Sequence, residues 1–270
     1  MTLYATGCTG TIGRHFPSKI VPIEQRLESN LKSFLKLRFQ PTDIVIHAGA
    51  RVGVAKVAQS LEDSFQINVI GSRHLALAAL QSNISKFVYI SSCHVYKFGK
   101  DFISENDEVG PANYYAEQKY LGEQEVLKVF QEYPEKVCII RVFSLLGWDM
   151  PRDSLGGAVN RILQSETNFQ LLNGDDVRDF QTPIQVAHTI AKVAENPLAE
   201  GIVNLCSAAG LKVSDAARSL MKLDNRFNSR MLDNVKTGTS KVPRIVGDNR
   251  KIKSLVPVMD LEWKFAPFVE

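Results

Sequence analysis

The chain of 270 residues, 44% hydrophobic and 23% charged with a formal net charge of +3, is long enough to bury a full core. The charge is small and the basic residues are scattered, which argues against a nucleic acid or an anionic membrane as partner, and no apolar run approaches the roughly 18 residues that cross a bilayer. Cys8, Cys93, Cys138 and Cys206 lack C-x-x-C spacing and sit in apolar surroundings, so no metal site is expected and reduced thiols in a cytoplasmic protein are.

Leu3 to Thr6 reads as a short apolar strand running into three glycines at intervals of three, Gly7, Gly10 and Gly13. Gly7 permits a tight turn, Gly10 lets the backbone approach a pyrophosphate, and Gly13 lets the next helix pack on its strand, with Thr9, Thr11 and Ile12 completing the cradle. The helix N-terminus then faces the anion. A strand opening at Leu3 leaves no room for a leader ahead of it. Pro17 makes the first helix short, because Ile20 to Ile23 already reads as the second strand, and thirteen residues between Thr6 and Ile20 are about the minimum for a parallel crossover. Glu24 follows. Its carboxylate would accept hydrogen bonds from an adenosine ribose and favour NAD, whereas Arg26 would pair with the extra phosphate of NADP.

Leu27 to Gln40 has helical apolar spacing, and Ile44 to Ile46 is a continuous apolar run typical of a buried parallel strand. It ends in His47, Ala48, Gly49 and Ala50, small residues after the histidine that let a cofactor cross the strand end. Leu61 to Gln81 reads as one long helix, and Lys86 to Ser92 as a fourth strand ending in the hydroxyls of Ser91 and Ser92. A further helix opens near Pro111 and carries Tyr115 and Lys119 one turn apart, so that the ammonium can approach the phenol and favour its ionised form. Such a phenol exchanges a proton with a carbonyl oxygen. Alternating strands and helices point to a doubly wound α/β fold.

These features in this order resemble the extended short-chain dehydrogenase/reductases, the NAD-dependent epimerase/dehydratase family, most of whose members act on nucleotide-linked sugars. The resemblance adds Asn68-Val69-Ile70-Gly71-Ser72, Ile140 to Gly147 as the fifth strand, Arg178-Asp179-Phe180 and Gly201 to Ser207. It implies a Rossmann-type sheet over 1–147 with 183–200 packing back on it, and a smaller substrate-binding α/β portion from 148–182 and 201–270. It implies cofactor contacts from Asn68 and Ser91 as well as the cradle, Tyr115 and Lys119, and substrate contacts from Ser92, His94, Ser144 and Arg178, the last at the nucleotide diphosphate. A homodimer is compatible with it.

Three departures narrow the reading. Ser144 replaces an asparagine, Ile184-Gln185 replaces an acidic pair, and Ser92 is followed by Cys93 and His94 where the family's dehydratases carry Asp and Glu. Water elimination is therefore disfavoured, and Ser91-Ser92-Cys93 with Ala50-Arg51-Val52-Gly53 is similar to segments of the family's 4-ketosugar reductases. The expectation is 4-keto reduction of a nucleotide (6-deoxy)sugar with NADP or NAD, Tyr115 being the acid/base and His94 pointing at the sugar as a further proton-transfer group. A 4-epimerase holding NAD tightly is the rival, and a non-catalytic dinucleotide-binding sensor is the alternative from another class.

Overall fold

Strands buried on both faces must be apolar at every position, and this is why the uninterrupted runs form the main sheet. The computed structural model describes residues 1–24, 31–148, 150–165 and 169–257. Its strands are β1 (Leu3–Thr6), β2 (Ile20–Pro22), β3 (Ile44–His47), β4 (Lys86–Ser92), β5 (Val137–Val142), β6 (Ser144–Leu145), β7 (Val177–Gln181), β8 (Gly201–Leu205), β9 (Gly210–Lys212) and β10 (Arg244–Ile245). Its α-helices are α1 (Val54–Gln59), α2 (Leu61–Phe65), α3 (Ser72–Gln81), α4 (Tyr114–Val129), α5 (Leu155–Leu163), α6 (Pro183–Glu195), α7 (Val213–Met221) and α8 (Arg250–Leu255). None of the described helices is long and apolar enough to cross a membrane.

Six strands form a parallel sheet in the order β2-β1-β3-β4-β5-β8. Successive side chains alternate between its faces. Ile44, Ile46, Val88 and Ile90 pack with Val186 and Ile190 of α6 and Ile252 of α8. Val45, Phe87, Tyr89 and Ile139 pack with Leu75 and Ala79 of α3 and Val126 of α4. Each buried Val, Leu, Ile or Phe side chain among them contributes roughly 1.5–3 kcal/mol. The chain leaves β1 for β2 at the edge and returns on the other side as β3, so the strand order reverses between β1 and β3, the place where ligands bind in sheets of this kind.

Several expectations change in detail. The first crossover contains only a three-residue 3-10 turn, Gly13–His15, and no full helix presents its end to the cradle. Of the stretch expected to be helical over 27–40, residues 27–30 lie outside the described ones and Leu31–Lys36 is a 3-10 helix anchored by the buried Phe34. The long helix over 61–81 is a helical path widened at Gln66–Gly71 into a π turn. The run from Ile140 to Gly147 divides between two sheets, since β5 ends at Val142 and β6 pairs with β7. Gly201–Leu205, assigned on sequence to the smaller portion, is the sixth main-sheet strand, where it covers the edge that β5 would otherwise expose, and α8 packs with it.

The smaller portion is a sheet in the order β10-β7-β6 with β9 antiparallel on β7. Its core joins Val159, Ile162 and Leu163 of α5 to Phe180 and to Ala217, Leu220 and Met221 of α7. Gln185, one of the residues that departs from the family pattern, caps α6: its Oε1 accepts from Thr182 N at 3.1 Å while Thr182 Oγ1 accepts from Gln185 N at 3.1 Å.

A continuous hydrogen-bond chain locks the strand-order reversal. Gly49 N donates to Thr6 Oγ1 at 3.0 Å, Thr6 lies 2.7 Å from His47 Nδ1, His47 Nε2 lies 3.0 Å from Ser72 Oγ, and Ser72 donates to Asn68 O at 2.7 Å. Since the single Ser72 proton goes to Asn68, Nε2–H must donate to Ser72, and Nδ1 accepts from Thr6. Only a neutral imidazole satisfies every group, and burial, with the Lys119 charge behind it, holds His47 down at about 3.

The unfolded chain therefore binds a proton at this histidine before the folded one does. Stability is fully present above about pH 6.5 and falls as pH drops towards 3, by up to about 1.4 kcal/mol per unit. In urea titrations at pH 7, 6 and 5, His47→Asn is expected to be less stable at pH 7 yet to show a flatter decline.

Candidate active site

Two concave surfaces meet at the glycine turn. The larger, about 720 Å³, is bounded by Thr9, Ile23, Glu24, Gly49 and Arg51 among others; the second, about 330 Å³, by Thr11, Ile12, Ser91, Ser92, Tyr115 and Lys119 among others. Gly7, Gly10, Ala48 and Ala50 border both. The turn tolerates no side chain at two of its glycines. Gly7 has φ +73° and a Cβ there would stand 2.6 Å from Gly49 N, while a Cβ on Gly13 would overlap the Gly7 carbonyl. The hydroxyl of Ser91, buried in the wall of the smaller cavity, has no hydrogen-bond partner among the described residues. A backbone cradle closed to side chains and an orphaned hydroxyl beyond it fit an extended dinucleotide lying across the ends of β1 and β3.

The candidate reactive side chains come from β4 and the start of α4. Asn113 caps that helix by accepting from Ala116 N at 3.0 Å, which sets Tyr115 in the first turn. Ser92 is close enough to the Tyr115 phenol to draw its pKa down, and its Oγ accepts from His94 N at 3.3 Å. Lys119 Nζ donates to Ile90 O at 2.6 Å and stands 4.2 Å above the Tyr89 ring. Burial pushes Tyr115 up to about 12 against a downward pull from Ser92. It pulls Lys119 down to about 7 against the opposing charge of Glu123. The expectation that Lys119 ionises Tyr115 is thus corrected: desolvation dominates, and the phenol keeps its proton at neutral pH.

His94 is placed differently from the sequence reading. That reading extended the strand beyond Ser92, but Cys93–Val95 is a 3-10 turn, so the two-residue alternation stops there. The His94 ring packs edge-on at 6.3 Å from Tyr115 and 5.9 Å from Phe98, and it is not among the described residues lining the cavity. Burial, then the Arg178 charge, lowers its pKa.

Other anticipated contacts also separate. Asn68 is buried and turned into the scaffold, giving Nδ2 to Arg51 O and Gln118 Oε1 at 3.0 Å each and taking Arg51 N at 2.8 Å. Ser144 sits on β6 opposite Phe180, and its neighbours Phe143 and Leu145 line the cavity instead. Arg178 donates to Asp176 Oδ2 at 2.8 Å and to Val242 O at 2.9 Å, so a diphosphate would have to compete for it. Arg26 lies outside the described residues. Missed altogether were Lys56, Met150, Pro151, Asp153 and Ser154, which line the same cavity as the cradle glycines. Asp153 Oδ2 would lie 3.0 Å from a Cβ on Gly53, whose φ is +100°. The Ala50-Arg51-Val52-Gly53 segment was the available signal for one side of this contact, and the helix cap at Ser154 for the other.

A family model described as the NAD dependent epimerase/dehydratase family matches residues 21–206, a span that begins beyond the glycine turn. The human dTDP-D-glucose 4,6-dehydratase is 26% identical over 202 residues, which are 73% of this chain and 57% of that protein. The chain thus spans little more than half the length of this relative. Among solved structures, RMD from Pseudomonas aeruginosa complexed with NADPH superposes with a TM-score of 0.81 at 21% identity, covering 99% of this chain and 96% of that one. DesIV, a dTDP-glucose 4,6-dehydratase from Streptomyces venezuelae with NAD and TYD bound, gives 0.80 at 18% identity, covering 100% and 94%.

Left-handed backbone costs a residue with a Cβ about 1–2 kcal/mol before any overlap is counted. Gly7→Ala is therefore expected to weaken NADH and NADPH binding at least about tenfold, read by nicotinamide fluorescence, while the protein remains folded.

Proposed function

Because the chain belongs to the NAD-dependent epimerase/dehydratase family, we propose that it is an NAD(P)-dependent oxidoreductase that reduces the 4-keto group of a nucleotide-linked (6-deoxy)sugar. The observation that carries this reading is a protonated Tyr115 phenol beside Ser92 in a cavity that adjoins the glycine cradle. A phenol that holds its proton is the form able to give one to an oxygen that is gaining electrons.

A dinucleotide held by the glycine cradle would supply the hydride. Tyr115 delivers the proton to the former carbonyl oxygen, and Ser92 holds that oxygen in line with it. Lys119, tied to Ile90 O, fixes the turn of helix next to Tyr115. Val142, Phe143 and Leu145 keep water from the reacting carbon. Elimination would call for an acid and a base beyond Tyr115, and among the described residues the cavity holds one carboxylate, Asp153, while buried Cys93 and off-cavity His94 follow Ser92. Glu24, on the wall of the larger cavity, is the residue we propose as the reader of the adenosine ribose.

Two experiments test the reading. A panel of nucleotide 4-ketosugars assayed by NADPH and NADH consumption should give turnover that Tyr115→Phe lowers by about 10²–10⁴-fold, with dinucleotide affinity changed by less than about threefold. Stoichiometric nicotinamide in the purified protein and no net consumption would favour the 4-epimerase instead. Glu24→Gln should raise the efficiency of NADPH relative to NADH several-fold, and an unchanged ratio removes Glu24 from that role.

A further inference from the structure

Tyr115, Lys119 and Glu123 follow one another at four-residue steps and so share one face of α4. Glu123 is completely enclosed. Its carboxylate accepts from Arg141 Nε at 3.0 Å and Nη2 at 2.6 Å, a bidentate pair between α4 and β5. One turn earlier, Lys119 is tied to Ile90 O on β4. Ser91 of β4 is the register partner of Arg141, so the two tethers reach adjoining strands at the same height. Together they fix the rotation and the axial position of the helix that carries Tyr115.

Packing alone does not account for this arrangement. The Arg141 guanidinium lies 4.5 Å from the Tyr96 ring, whose hydroxyl donates to Asn204 Oδ1 at 2.7 Å, yet Arg141 Nη1 is buried without a partner among the described residues. A buried ion pair with an unsatisfied N–H is a poorer source of stability than apolar side chains of the same volume.

We propose that Glu123, clamped by Arg141, is a positioning residue that supplies the counter-charge keeping Lys119 an ammonium and holds α4 in the orientation that presents Tyr115 to Ser92. This rests on the assignment of Tyr115 and Lys119 above. Among the described residues, the titratable groups facing Lys119 are Tyr115 and Glu123 on its own helix, Tyr89 on β4 and His47 on β3, with Arg141 of β5 behind Glu123. Burial lowers the pKa of Lys119 and the Glu123 charge raises it. With that carboxylate removed, Lys119 gives up its proton at lower pH.

The test uses the full chain with ¹³C-labelled lysines and no added dinucleotide, the Lys119 resonance being the one absent from Lys119→Arg. Wild type is compared with Glu123→Gln and with the double variant Glu123→Leu/Arg141→Met, which replaces the pair by apolar side chains and so remains folded. Both variants are expected to titrate Lys119 at least about half a pH unit lower. The alkaline limb of turnover should move with it, a loss of about threefold on that limb, while the dinucleotide KM stays within about twofold. A folded double variant with a wild-type Lys119 titration, or a shifted titration with an unmoved alkaline limb, overturns the proposal. Retained turnover in Tyr115→Phe would instead overturn the assignment on which it rests, and the free-protein titration distinguishes the two failures.

Discussion

The hydrogen-bond chain that starts at Gly49 and passes through Thr6, His47 and Ser72 to Asn68 is the constraint on which the binding surface depends. Asn68 continues it by clasping both backbone polar groups of Arg51 and the side chain of Gln118. One neutral network thus joins the ends of β1 and β3, the π turn and α4. Because each donor meets one acceptor, the network can be buried without charge, and it holds the floor formed by Ala48, Gly49 and Ala50 in a single conformation. A loop of small residues would otherwise have no side chains with which to hold itself.

Behind the reactive groups, desolvation outweighs charge. Tyr115 retains its proton and Lys119 is drawn towards losing its own because both lie in protein, and the four-residue spacing that suggested mutual ionisation is a weaker influence than their burial. Among the described residues, the Glu123–Arg141 pair is the place on this helix face where full charges are matched at hydrogen-bond distance. Removing one member of such a pair typically costs about 3–5 kcal/mol, because the other is left buried alone. Stability and chemistry therefore rest on the same face of α4.

The smaller portion shows how residues of a binding motif can serve as structural ties. Asp179, at the centre of Arg178-Asp179-Phe180, accepts from Ser207 N, Ser207 Oγ, Ala208 N and Gly247 N, which draws the segments after β8 and β10 onto β7. Arg178 is occupied by Asp176 and Val242, and Gln185 by the cap of α6. The cavity wall is built instead by Phe143, Leu145 and the turn at Met150 to Ser154, closed against Gly53.

The parallel sheet, the glycine turn and the Ser92, Tyr115 and Lys119 set were legible in the sequence because each depends on local rules: apolar runs for strands buried on both faces, glycine where a Cβ would collide, and four-residue spacing on a helix. The lengths of the helices over 13–15 and 31–36 were less so, since a short segment takes its form from what it packs against. Where β5 stops and β6 begins was decided by pairing with β8 and β7, partners more than thirty residues away. Strand alternation aimed His94 at the substrate, whereas a three-residue turn sets its ring edge-on to Tyr115 and Phe98. Residue types and spacing thus determined which chemistry the chain can hold. The protonation of Tyr115 and Lys119, the partners of Arg178, and the wall of the cavity were decided by tertiary structure alone, because desolvation and contact across the chain have no signature in local spacing.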